Sequence, residues 1–194
     1  MIHTIKSDAL TVSVSELGAE LQSIRDGSGT EFLWQGDPKY WSDRALTIFP
    51  YVARLTGKQY TLFSKTYSMG IHGFARTSMF SPIVSSESSV TLRMTNNEET
   101  RVQYPYSFVF DVTYSLSGSR ITVKYEVTNR SGETMYFGIG GHPGFNVPNA
   151  PGLRFEDYCL EFEEDCTPKR VAFTDDCFVA GGDSAYPLQS RRIP

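Results

Sequence analysis

The feature that most restricts this chain is an alternation of apolar and polar residues with a period of two. In LTVSVS (10–15), Leu10, Val12 and Val14 fall on one side and Thr11, Ser13 and Ser15 on the other. Successive side chains of a strand point to opposite faces, so the pattern predicts a half-buried strand of an antiparallel sheet. ELQSIRD (20–26) follows the LGAEL stretch as a second run and ends at the Gly-Ser-Gly turn 27–29. EFLWQG (31–36) is a shorter candidate. SVTLRM (89–94), FVFDVTYSL (108–116), ITVKYEVTN (121–129) and TMYFGIG (134–140) are strand-like too, joined by turn signals such as SGS and RSGE. Helical periodicity is nearly absent; NNEET (96–100) reads as one short turn capped by Asn96 or Asn97. Close-spaced strands with Gly and Ser turns predict an all-β, antiparallel β-sandwich or barrel. No repeat, low-complexity tract or linker divides residues 1–194, so one domain is expected.

A chain of 194 residues is long enough to bury a sizeable core. Thirteen Phe, eleven Tyr and two Trp favour strands, and aromatics also line sugar sites, so this excess supports β structure and leaves function open. The net charge of −4 gives no electrostatic reason to expect nucleic acid. The start, MIHTIKSDAL, lacks the apolar core of a secretory signal, and no apolar run approaches the ~18 residues of a membrane span. Cys159, Cys166 and Cys177 are odd in number and form no CxxC, which suits reduced thiols and a cytoplasmic location.

Three stretches contain candidates for chemistry. In FPYVARL (49–55), Arg54 is either a surface residue after a buried loop or a planar fork aimed at ligand oxygens. In MGIHGFAR (69–76), Gly70 and Gly73 bracket His72, whose bland reading is a satisfied structural histidine. In GGHPGFNVP (140–148), His142 follows two glycines at the end of the TMYFGIG strand, and Pro143 biases it away from helix. A histidine held rigidly at a strand end suits acid–base chemistry near neutrality, but a structural turn fits the same spacing.

The acidic EFEEDC (161–166) is read as a solvated strand end or turn, since nothing in the sequence signals the burial that shifts a carboxyl group. No HxH, HExxH or ligand-spaced cysteine pair is present, so no metal site is expected. GxSxG, Walker and Rossmann glycine patterns are missing as well, and no cofactor is expected.

Five stretches taken in order resemble the aldose 1-epimerase (galactose mutarotase) family, particularly its LacX-like bacterial branch. They are ELGAELQSI (16–24), WQGDPKYWSDRALTIFPYVARL (34–55), IHGFAR (71–76), YPYSFVFDVTYSL (104–116) and GGHPGFNVP. The ordered pair HGFAR and GGHPGFN is the more specific part, and the likeness loosens beyond residue 150. The resemblance implies a galactose mutarotase-like supersandwich with a sugar site on one concave sheet, and interconversion of the α and β anomers of an aldose. It implies His142 as the general acid at the ring oxygen, with His72 beside it steadying the developing charge. Arg54 would bind sugar hydroxyls, Arg76 and Asn146 would lie among the substrate-binding residues, and Phe145 would pack on the sugar's C–H face. A hexose partner follows, phosphorylated or not, with no nucleic acid or membrane partner.

The family's general base is a glutamate in a C-terminal segment, and none of Glu156, Glu161, Glu163 or Glu164 stands in that motif. The expected sandwich is therefore C-terminally incomplete, with sheet edges that an oligomer would cover. Two alternatives stand beside the epimerase: a hexose-6-phosphate 1-epimerase, using Arg54 and Arg76 on phosphate, and a non-catalytic carbohydrate-binding module.

Overall fold

The structure is a computed structural model that describes residues 1–163, 167–186, 188 and 192–193. The alternating runs become two antiparallel sheets. Strands β1 (Ile2–Lys6), β2 (Leu10–Ser15) and β3 (Leu21–Asp26) form a meander in that order. Further along come β4 (Ala45–Ile48) and the hairpin of β5 (Gln59–Leu62) and β6 (Lys65–Ser68). Next are β7 (Ser81–Ser85), β8 (Ser89–Thr95), helix α1 (Glu98–Gln103), β9 (Phe108–Ser117) and β10 (Arg120–Asn129). The second sheet runs β10-β9-β8-β7, and β11 (Gly140–Pro143) pairs with β4.

The inward faces are those the alternation assigns. Leu10, Val12 and Val14 of β2 are buried, as are Phe108, Phe110, Val112, Tyr114 and Leu116 of β9. Burying a side chain of this size contributes about 1.5–3 kcal/mol, so these strands carry much of the fold's stability. The Tyr114 hydroxyl donates to the Ala19 carbonyl at 2.7 Å, a satisfied polar strap inside the core. Phe49 sits at the centre of an aromatic cluster, with ring centroids 4.8 Å from Phe110, 5.1 Å from Phe108 and 6.0 Å from Tyr104.

Two candidates from the sequence take a different form. EFLWQG makes only isolated bridges, Arg25 to Glu31 and Leu33 to Phe145. The Glu31 carboxylate is the reason: it accepts from the Ile24 and Leu33 amides at 2.8 and 3.0 Å, and from the Ser23 hydroxyl, so a side chain replaces part of the ladder. TMYFGIG becomes regular strand only at Gly140. Before it, the Tyr136 carbonyl accepts from the Tyr104 hydroxyl at 2.6 Å, and the Gly138 amide donates to the Pro50 carbonyl at 2.7 Å. His142 therefore lies within β11 rather than after a strand's end. The NNEET turn is α1, capped by Asn97, whose Oδ1 accepts from the Thr100 amide at 2.9 Å.

Residues Met1–Asn146 form one compact unit and Val147–Pro194 a second. The second holds the short pairs β12 (Leu160–Glu161) with β15 (Arg192–Ile193), and β13 (Lys169–Arg170) with β14 (Ser184–Ala185). None of its described residues is buried. Glu161 ends β12 and pairs with Arg192 at 2.9 Å, which is the solvated strand end expected there; Glu164 and Cys166 lie outside the described residues.

Candidate active site

His72 is held by its own backbone turn. Its φ is 64° and that of Ala53 is 71°, so both residues sit in the left-handed region that side chains rarely adopt. They clamp each other. The His72 amide donates to the Ala53 carbonyl at 3.0 Å, and the Ala53 amide donates to His72 Nδ1 at 3.2 Å. An Nδ1 that accepts carries no proton, so the neutral ring has its hydrogen on Nε2. Burial lowers the His72 pKa below its ordinary 6.5, and His142 and Arg76 add to the shift.

This shift predicts a pH dependence. Between the lowered value and 6.5 the unfolded chain binds more protons at this position than the folded one. The contribution of His72 to stability is expected to rise with pH across that interval and to fall away on acidification. NMR titration of the His72 ring should give an apparent pKa below 6.5, and His72→Phe should flatten that part of the stability profile.

The next residue explains why the turn holds. The Phe49 carbonyl accepts from the Phe74 and Ala75 amides at 3.0 and 3.1 Å, drawing the two segments together at Gly73. Gly73 has φ 71°, and a Cβ there would meet the Phe49 carbonyl carbon at 2.6 Å and Pro50 Cδ at 2.7 Å. Gly73→Ala is expected to cost at least about 1–2 kcal/mol from backbone conformation alone. Calorimetry should record a fall in Tm of at least about 2–8 °C.

His142 arrives on β11, opposite Leu46 in the β4 ladder. The start of β4 is fixed by Glu20, whose Oε1 accepts from the Arg44 and Ala45 amides, each at 2.9 Å. Glycines flank the histidine for steric reasons. A Cβ at Gly141 would come within 2.8 Å of the Tyr125 hydroxyl oxygen, and one at Gly144 within 2.9 Å of the Trp41 ring. Trp41 packs against the His142 ring at a centroid distance of 5.2 Å, and its carbonyl accepts from Trp34 Nε1 at 2.7 Å.

The two histidines, far apart in sequence, come together with ring centroids 5.7 Å apart. His142 is exposed and His72 half-buried. Arg76 joins them, since its charge opposes protonation of His72; its guanidinium lies 3.5 Å from Asp43. Arg54 is exposed on the loop that clamps His72. Phe145 is 60% exposed. Asn146 has a structural engagement: its Nδ2 donates to the Glu31 and Leu33 carbonyls, each at 2.9 Å, leaving the amide oxygen for any further contact. Trp41 and Asp43 were not singled out from sequence. Both lie in the WSDR run, whose Trp next to polar residues was the only available signal.

An all-β chain with two antiparallel sheets and this arrangement is a galactose mutarotase-like fold. The galactose mutarotase related enzyme from Lactobacillus acidophilus superposes with a TM-score of 0.94 at 37% identity, covering 100% of this chain and 64% of that one. A galactose mutarotase-like protein from Lactobacillus casei ATCC 334 gives 0.91 at 33% identity, covering 100% and 67%. The Aldose 1-epimerase family model matches residues 1–180, and the chain belongs to that family. The plasmid-encoded LacX protein of Lactococcus lactis subsp. lactis is 39% identical over 170 residues, 84% of this chain and 57% of that protein. The chain thus spans just over half the length of this curated relative.

Proposed function

We propose that this chain takes a hexose at the His72–His142 cluster and interconverts its α and β anomers by opening and reclosing the ring. The observation that carries this reading is the 5.7 Å approach of the two imidazoles, one of them with its Nε2 proton fixed by the Ala53 clamp. His142 donates a proton to the ring oxygen as the C1–O5 bond breaks. Neutral His72 offers its Nε2–H to the same oxygen region and steadies the charge that develops there. The anomeric hydroxyl gives up its proton to a base outside the residues assigned here, and C1 becomes an aldehyde carbon. Rotation about C1–C2 and reclosure on the other face give the other anomer. Arg54 and Arg76 hold sugar hydroxyls, and Phe145 covers the C–H face.

A neutral hexose suits the cluster better than a phosphorylated one, because the Arg76 charge already faces Asp43. Family membership supports a sugar substrate, and the two described cysteines, both free and exposed, suit the cytoplasm. The test is NMR exchange between the α and β signals of glucose and galactose in the presence of the folded chain. Exchange above the buffer rate supports the reading, and a rate that rises with buffer base traces the missing base to solution. Sugar binding without exchange would instead make the chain a carbohydrate-binding module.

A further inference from the structure

The two edges of the second sheet are built differently. At one, β7 carries Pro82 and a register shift between Pro82 and Val84, two devices that keep a further strand from pairing. At the other, β10 runs ten residues against β9 with no shift in register. Among the described residues no strand lies beyond it.

The backbone fixes which groups face that open edge. In an antiparallel strand the amide and carbonyl of one residue point to the same side, and successive residues alternate. The Arg130 amide, one residue past β10, donates to the Ser107 carbonyl at 2.8 Å. Even-numbered residues of β10 therefore bond to β9, while Ile121, Val123, Tyr125, Val127 and Asn129 turn amide and carbonyl outward. The side chains of the first four pack against the core but are only half-buried, whereas their counterparts on β9 are buried. Thr122, Lys124, Glu126 and Thr128 lie on the other face, all exposed.

The order of these residues is complementary to itself. A second copy of β10 can lie antiparallel beside the first with the two Tyr125 residues opposite each other. Val123 then meets Val127 of the second copy, Thr122 meets Thr128, and Lys124 meets Glu126, each pair occurring twice by symmetry. The threonine and charge pairs fall between the hydrogen-bonded pairs, where cross-strand side chains are closest. A slip of two residues is the smallest that keeps the apolar faces together, and it sets Lys124 against Lys124 or Glu126 against Glu126. Within one strand Lys124 already reaches Glu126 at 2.6 Å, but both side chains are more than half exposed, so re-pairing across the edge costs little.

We propose that the β10 edge is a self-association surface, joining two copies of this chain through a two-fold antiparallel ladder centred on Tyr125. The second sheet then continues from one copy into the other. This surface does not depend on the sugar chemistry. Sedimentation velocity on the intact chain is expected to show a dimer. Lys124→Glu and Glu126→Lys each set like charges opposite each other twice, and each should weaken the dimer about tenfold or more. The double variant Lys124→Glu/Glu126→Lys restores opposite pairs and should return the affinity to within about threefold of the parent. Both side chains are exposed, so these variants should fold. Val123→Pro removes an outward amide that β9 does not use, and should leave a folded monomer. Hydrogen exchange gives a second readout: the Val123, Tyr125 and Val127 amides should be protected in the parent chain and exchange freely in Lys124→Glu. The proposal is overturned if the folded chain is monomeric at the concentration of an NMR sample, or if the double variant stays dissociated. A dimer that survives the single charge reversals and Val123→Pro overturns it as well. So does protection of the three amides in a monomer, since another segment of the same chain would then hold the edge.

Discussion

Phe49→Ala is expected to destabilise the chain by about 3–5 kcal/mol, the range for removing a large aromatic from a close-packed interior. Phe49 is fully buried, and its ring meets Phe74, Tyr104, Phe108, Phe110 and Phe137. Five rings oriented around one cannot all collapse into the space it leaves, so most of the cavity persists. For a chain of this size each kcal/mol lowers Tm by about 2–4 °C, which places the expected fall at roughly 6–20 °C by calorimetry. A fall of less than 2 °C would mean that the cluster is not packed as described. Phe49→Leu, which keeps more of the volume, should cost less. The substitution also reaches the site, because the Phe49 carbonyl anchors the turn that carries His72.

The second large effect concerns chemistry. Where the folded chain exchanges anomers, His142→Ala is expected to lower the rate above background by about 10²–10⁴-fold, the usual contribution of one positioned acid. The ring is exposed and rests against Trp41, so its removal should leave stability nearly unchanged. A loss of rate with Tm intact separates a catalytic role from a structural one. If exchange in the variant equals that of the parent chain, His142 is not the acid. His142→Gln, which keeps polarity and loses the titratable proton, should behave like alanine.

Much of the fold was legible because its signal is local. In β2 the sequence alternation and the alternation of burial coincide residue for residue, and in β9 they part only at Val109, an apolar residue on the outward face. The same rule could not show that Glu31 or the Tyr104 hydroxyl would stand in for a neighbouring strand, since those partnerships join segments by side chains. The site was half legible. His72 and His142 each looked like a rigidly held histidine, and the family resemblance joined them. Their approach depends on the β4–β11 register and on the Phe49–Gly73 bridge, neither of which leaves a periodic trace. Trp41 and Asp43 stayed hidden for a similar reason, since what each touches is decided by the fold around it. The fixed tautomer of His72 rests on one amide from Ala53, a residue with no chemistry of its own.

That small clamp has a wider consequence. In one short run of chain, Ala53 is the jaw on His72, while Pro50, Tyr51 and Val52 line a cavity of about 550 Å³. A substitution at Pro50, Tyr51 or Val52 is therefore expected to reach the imidazole through the backbone of Ala53, without touching the ring itself.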